Sequence, residues 1–254
     1  MRENFLISII TPVHNCEEYI AETIKSVQEQ TYTFWELVLV DDCSSDSSVK
    51  IIKDLAKTDN RIKLISNEAN SGPAVTRNKG IKIAKGDFIT FLDGDDIWYS
   101  NFLQNSLSHC LNNNYEFVFA SYKRLNEELQ PLLNNFIVPE KVNYNQLLKA
   151  CPIPCLTAFI DIRRIGKFYM PLMDKRQDWG LWLAILKEVD YAYGIKEPLA
   201  IYRMRKNSVS RSKRNVIPYV WQIYRQVEGF NILQSSYYFM HWAFNGFKKY
   251  YINI

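Results

Sequence analysis

The chain has 254 residues, enough for one large domain or for a domain with an appendage. With 47% hydrophobic and 23% charged residues it has an ordinary soluble globular composition, and a net charge of +4 is too small by itself to imply nucleic acid as a partner. Five cysteines without a CxxC pair exclude a disulfide frame and a zinc site of usual spacing, and read as reduced thiols.

Met1-Arg2-Glu3-Asn4 leads directly into the strand-like run Leu6–Ile10, so no signal peptide is visible. That strand is expected to end at Thr11-Pro12. Ile20, Ile24 and Val27 then recur at helical spacing. Trp35–Val40 reads as a second strand closing on Asp41-Asp42. Ser44 to Ser48 supply N-cap candidates for a helix with Ile51, Ile52 and Leu55 inward. Ile62–Ile65 is a third strand. Ala74–Ala84 is a helix introduced by Asn70-Ser71-Gly72-Pro73, and Phe88–Leu92 a fourth strand. Short connections between alternating strands and helices predict a doubly wound sheet. Further on, Phe102–Leu111 reads as a helix and Phe117–Ala120 as a strand. Residues 123–150 are polar with a helix near Tyr144–Lys149. Thr157–Ile160 is another strand, and a helix opens near Lys175 with Leu181, Trp182 and Ile185 inward. Ala192–Ile195 and Ala200–Tyr202 read as two short strands, and the chain from Pro218 on as two helices.

The densest chemical signal is Asp93-Gly94-Asp95-Asp96 at the end of the fourth strand. Carboxylates crowded at a strand's C-terminal end repel one another unless a cation joins them, and in an open α/β sheet ligands bind at that end. Oxygen ligands suit Mg²⁺ or Mn²⁺ carrying a phosphorylated substrate. A solvated acidic turn is the alternative. The loop after the first strand has no glycine, which excludes a dinucleotide fingerprint, and no GxxxxGK[ST] loop occurs. The strand ends are acidic instead, which suits a nucleotide held through a metal with a carboxylate left to accept from a base N–H. No uncharged run reaches the ~20 residues of a membrane span.

Taken in order, Thr11-Pro12-Val13-His14-Asn15, Val40 to Asp46, Asn70-Ser71-Gly72 through Arg77-Asn78, Asp93-Gly94-Asp95-Asp96 and Gln177-Asp178-Trp179 resemble family 2 glycosyltransferases of the GT-A fold. Lys167 to Pro171 and Arg203 to Ser210 resemble the bacterial branch that builds teichuronic acid, capsule or O-antigen lipopolysaccharide chains. The resemblance implies a Rossmann-like, mostly parallel GT-A domain over residues 1–215 and a helical tail over 216–254. It implies that Thr11, Pro12, Val13, Asn15 and Asp42 hold the nucleotide, with Asp42 nearest a uracil, and that Arg77, Asp93 and Gly94 reach its sugar or diphosphate. Asp93 and Asp95 form the DxD motif, with Asp95 the main ligand of Mn²⁺ or Mg²⁺. Asp178 is the catalytic base of an inverting transfer, the alternative being a plain helix N-cap. Gln177 and Arg205 depart from the Glu and His that many relatives carry. Arg203, Arg205, Lys206 and Arg211 would close over the diphosphate, or else form a solvated basic face.

The implied enzyme moves a sugar from a UDP-sugar to a hydroxyl of a lipid-linked glycan, with no nucleic acid involved. It works in the cytoplasm at the inner face of a bacterial membrane. Nucleotidyl transfer and non-catalytic binding are the competing functions. In the tail, Tyr237, Tyr238, Phe239, Trp242, Phe244 and Phe247 stand beside Lys248 and Lys249. Residues 236–254 are therefore expected to lie on a membrane surface as a peripheral contact, or to pack on the domain or a second copy in a homodimer.

Overall fold

A computed structural model describes residues 4–205 and 216–251. Its first half is the alternating unit that the periodicity predicts. Strands β1 (Ile7–Val13), β2 (Trp35–Asp41), β3 (Ile62–Ser66) and β4 (Phe88–Phe91) run parallel in the order β3-β2-β1-β4. Helices α1 (Ile20–Gln28), α2 (Ser48–Ala56) and α3 (Gly72–Ile83) connect them. The strands are apolar on both sides because both sides are covered. Ile7, Ile9, Leu37, Leu39 and Phe88 pack with Ile20, Ile24, Val27 and Ile52 on one face. Ile10, Val38, Val40, Ile89 and Phe91 face the other way and meet Ala74 and Ile81. This is the period of two expected of a pleated strand.

The second half extends the sheet. It comprises β5 (Ile97–Trp98), α4 (Phe102–Asn113), β6 (Phe117–Leu125), β7 (Pro131–Phe136), β8 (Lys141–Val142), α5 (Tyr144–Lys149), β9 (Phe159–Asp161), α6 (Ile162–Ile165), α7 (Gln177–Ile185) and β10 (Ala192–Arg203). The main path continues β4-β9-β6-β10-β5, with β9 antiparallel to both its neighbours and β10 parallel to β6. Three features depart from the sequence reading. The polar stretch after residue 123 is a hairpin of β6 with β7, closed by an Asn126–Gln130 turn in which Leu129 has φ +58. β7 is an exposed outer strand, so it lacks the buried face that would give it an apolar period. The two short strands expected after residue 192 are one, β10, with its register broken at Pro198, which cannot donate to the ladder. A two-residue strand, β5, was too short to be legible.

α7 is buried nearly all round, its residues Trp179 to Leu183 and Ile185 packed between sheet and tail. Trp182 meets Phe91 edge-on and lies against Phe117. The tail consists of α8 (Ile217–Gln222), a π-helical turn over Ile223–Val227 and α9 (Ile232–Tyr251). Val220, Ile223 and Tyr224 are buried against the α7 side of the core, with the Tyr224 hydroxyl donating to Leu148 O at 2.7 Å. α9 opens with a reciprocal cap between Asn231 and Gln234 and lays Tyr238, Phe239 and Trp242 on the core. No helix of the described residues is long and apolar enough to cross a membrane.

Candidate active site

The C-terminal ends of β1, β2 and β4 meet at one rim, as an open parallel sheet requires. Three loops there are fastened to one another. Asn15, held at φ +47, accepts from Ser45 N at 2.8 Å, while its own N–H donates to the Ser44 hydroxyl at 3.1 Å. Asp42 N donates to Val13 O, and Cys16 N to the Ser48 hydroxyl. Gly94 lies beneath the β1 loop, where a Cβ would stand 3.0 Å from Cys16 Sγ and 3.4 Å from Pro12 O. The acidic turn thus seats closely against the end of β1, and a side chain at residue 94 would crowd Cys16.

Thr11 and Val13 are buried in β1, and the Thr11 hydroxyl meets no hydrogen-bond partner among the described residues. Pro12 is half-buried and Asn15 exposed. Asp42 is 5% exposed, and its carboxylate accepts from Asn67 Nδ2, Ser71 N and Gly72 N, each at 2.8 Å. It therefore sits at the start of α3, where unpaired N–H groups and the helix dipole favour an anion. Burial pushes this carboxyl up, but those donors hold it below the usual range.

Arg77 rises from α3 with its side chain 8% exposed and forms an ion pair with Asp93. Burial disfavours its charge, yet Asp93 above all, with Asp178 also acting on it, holds it firmly protonated. Arg77 is therefore paired with the acidic turn, and Asp178 of α7 lies near enough to act on its charge. The loop before α7 turns through Arg176 at φ +63, and Asp178 is the half-exposed residue on a helix otherwise almost wholly buried.

The acidic turn divides its carboxylates. Asp95 Oδ2 lies 2.8 Å from Arg205 Nε, and burial together with the nearby Asp93 raises its carboxyl above the usual range. Asp96 points inward, 1% exposed, with Oδ1 accepting from Arg203 N at 2.9 Å; burial, then Asp95 and Asp93, raise it strongly. Arg203 is the buried counter-ion that sequence reasoning did not foresee as a structural piece. Its guanidinium donates to Asp95 O and Glu127 O at 2.9 Å and to the Glu22 carboxylate, and it lies over the Tyr19 ring. Arg203 thus faces the underside of the turn and Arg205 its upper carboxylate. Glu22, Tyr19 and Glu127 had no motif to announce them. Lys206 and Arg211 lie outside the described residues. Among the described residues no three His, Cys, Asp or Glu side chains converge as a ready metal site; Asp93 and Asp95 each face an arginine. Their hard oxygen donors are nevertheless the type that Mg²⁺ or Mn²⁺ takes.

Glycosyl transferase family 2 matches residues 8–164. A protein of Bacillus subtilis (strain 168) named as the teichuronic acid biosynthesis glycosyltransferase TuaG is 37% identical over 244 residues, 96% of this chain and 97% of that one. The Escherichia coli protein WfgD, named as a UDP-Glc:alpha-D-GlcNAc-diphosphoundecaprenol beta-1,3-glucosyltransferase, is 39% identical over 97% of this chain and 96% of its own. Among solved structures, S. aureus TarS 1–349 in complex with UDP-GlcNAc superposes with TM-score 0.73 at 18% identity, covering 96% of this chain and 73% of that one. A Pyrobaculum calidifontis mannosyltransferase in complex with GDP-Man and Mn²⁺ superposes with TM-score 0.69 at 16% identity, over 94% and 70%. These neighbours share the GT-A architecture of a mostly parallel sheet with helices at the C-terminus, and near full-length identity to named glycosyltransferases sets aside a nucleotidyltransferase or a non-catalytic scaffold. The chain belongs to glycosyltransferase family 2.

Proposed function

We propose that this glycosyltransferase transfers a hexose from a UDP-sugar to a hydroxyl of a lipid-linked glycan with inversion, and that Asp178 is its base. The observation that carries the reading is Arg77, a buried cation paired with Asp93 of the acidic turn and near enough to Asp178 to feel its charge. In this reading the acidic turn is the diphosphate-binding edge and Asp178 is the carboxylate on the other side of the reacting carbon. The names of the relatives, one acting from UDP-Glc on a diphosphoundecaprenol-linked GlcNAc and one in teichuronic acid biosynthesis, support the donor and acceptor classes.

In this mechanism the loops after β1 and β2 hold the base and ribose, with Asp42 nearest the uracil. Arg77 orients the turn and approaches the donor phosphates or sugar. Asp178 accepts the acceptor hydroxyl's proton as its oxygen attacks the anomeric carbon, a role worth typically 10²–10⁴-fold. A divalent cation held by Asp95 with Asp93 would neutralise the charge growing on the departing diphosphate. Arg205, which pairs with Asp95, would join that diphosphate, whereas Arg203 supports the turn through its carbonyl and carboxylate partners. The protein divides into a catalytic unit over 1–215 and a tail over 216–254.

Calorimetry with UDP, with and without Mn²⁺, tests the reading on wild type, Asp95→Ala and Asp178→Asn. Metal-dependent binding is expected in wild type and Asp178→Asn and lost in Asp95→Ala. Transfer should fall by about 10²-fold or more in Asp178→Asn. Loss of UDP binding in Asp178→Asn would make that residue structural, and no binding by wild type would overturn the UDP assignment.

A further inference from the structure

The aromatic tail divides into two faces. Tyr238, Phe239 and Trp242 lie on the core, while Leu233, Tyr237, Met240 and Phe244 point outward with 82%, 47%, 64% and 63% of their surface exposed. The outward residues are spaced four, three and four apart, so they form one stripe along about three turns of α9. A helix that needed only to pack on its own domain would carry polar residues there. We propose that this stripe is a docking surface for an anionic lipid bilayer.

Two observations choose the lipid over a second copy of the chain. The first is charge. From Gly229 to Ile254 the sequence has no Asp or Glu, and it has Lys248 and Lys249 immediately beyond the stripe. Lys149 of α5 adds a cation beside it, with Nζ 5.9 Å from the Tyr237 ring. An apolar stripe on a segment with lysines and no carboxylate of its own is complementary to anionic headgroups over an acyl layer, and opposes an identical copy of itself. The second is size. A stable protein interface engages roughly 20–30 residues a side, far more than this one narrow stripe offers. In a bilayer each side chain gains from burial separately and needs no matching surface. The docking does not depend on the UDP-sugar assignment, but it would bring the enzyme to the layer in which a lipid-linked acceptor resides.

The test is co-sedimentation of the full chain with vesicles of phosphatidylcholine alone or mixed with phosphatidylglycerol, at low and high salt. Wild type is expected to sediment with the anionic vesicles, less at high salt and little with phosphatidylcholine alone. Met240→Glu/Phe244→Glu should weaken binding by roughly tenfold or more. Leu233→Asp serves as a second variant, since a carboxylate in the first helical turn is compatible with the helix. Retained helicity and UDP calorimetry in each variant would show that the fold survives. Absence of sedimentation by wild type, or equal sedimentation by both folded variants, would overturn the proposal. So would a concentration-dependent dimer in sedimentation velocity that the variants abolish. Failure of UDP binding with vesicle binding intact would count against the donor assignment alone.

Discussion

At the scale of single residues, the site is governed by where its arginines stand. Arg77 pairs with Asp93 and feels the charge of Asp178, Arg205 pairs with the Asp95 carboxylate, and Arg203 donates to the Asp95 carbonyl. Arg203 is 3% exposed in its side chain, so its charge is tolerated only because Glu22 and the carbonyls of Asp95 and Glu127 satisfy it. Lysine keeps the charge but cannot present the guanidinium fork to three separate acceptors. Arg203→Lys is expected to lose about 2–3 kcal/mol in denaturant unfolding and to weaken UDP binding by displacing the turn. Unchanged stability would mean that the buried network contributes nothing. The sequence marked Arg203 and Arg205 alike as basic residues near a diphosphate. It could not tell them apart, because Arg203 ends β10 and Arg205 lies just beyond it, and the partners that take up Arg203, Glu22 and Glu127, are distant in the chain.

At the scale of elements, the placement of Asp178 depends on how closely α7 approaches the segment before it. A Cβ on Gly180 would lie 2.4 Å from Pro171 Cγ. Pro171 cannot easily withdraw, because the adjacent Met170 exchanges two hydrogen bonds with the Asn78 side chain of α3, both at 2.8 Å. Gly180→Ala should therefore shift α7 rather than the loop. The overlap costs about 1–3 kcal/mol, partly offset by alanine's better helix propensity of about 1 kcal/mol. The expected result is a melting temperature only slightly lowered, but a turnover reduced about tenfold or more with UDP affinity retained, because small misplacements of a reacting group are costly. Equal turnover would show that α7 tolerates the shift. The helix itself was legible from its apolar residues. That it is buried on all sides was not, since that requires the tail to cover its outer face.

At the scale of the whole molecule, three carboxylates tie distant parts of the sheet together in their charged form. Asp42 joins β2 to α3. Buried Glu36 accepts from Ser8 and Lys63 at 2.5 Å and from Lys85 N at 2.6 Å, and these donors outweigh burial to hold it below its usual range. Arg61, with Gln28, holds Asp59 down to about 2. A carboxyl lowered by folding binds its proton more readily in the unfolded chain, so its stabilisation is complete above about pH 5 and is lost as pH falls through about 4 towards 2. Asp95 and Asp96, raised by burial, act in the opposite sense and soften the first part of that fall. The melting temperature should be flat near neutrality and drop steeply in the acid range, less so in Glu36→Gln; a parallel curve in that variant would remove Glu36 from the account. What the sequence by itself determined is local: the two- and 3.6-residue periods of the first ninety or so residues, the acidic strand ends, and the order of motifs that marks the family. These are written in neighbouring residues, because a strand or amphipathic helix records its own burial. Tertiary structure alone decided the exposed hairpin β6–β7, the continuity of β10 through Pro198, and which arginine faces which side of the acidic turn. It also decided which half of the aromatic tail is covered. Each of these depends on a partner distant in the chain, and a residue's own type does not record on which side that partner will lie.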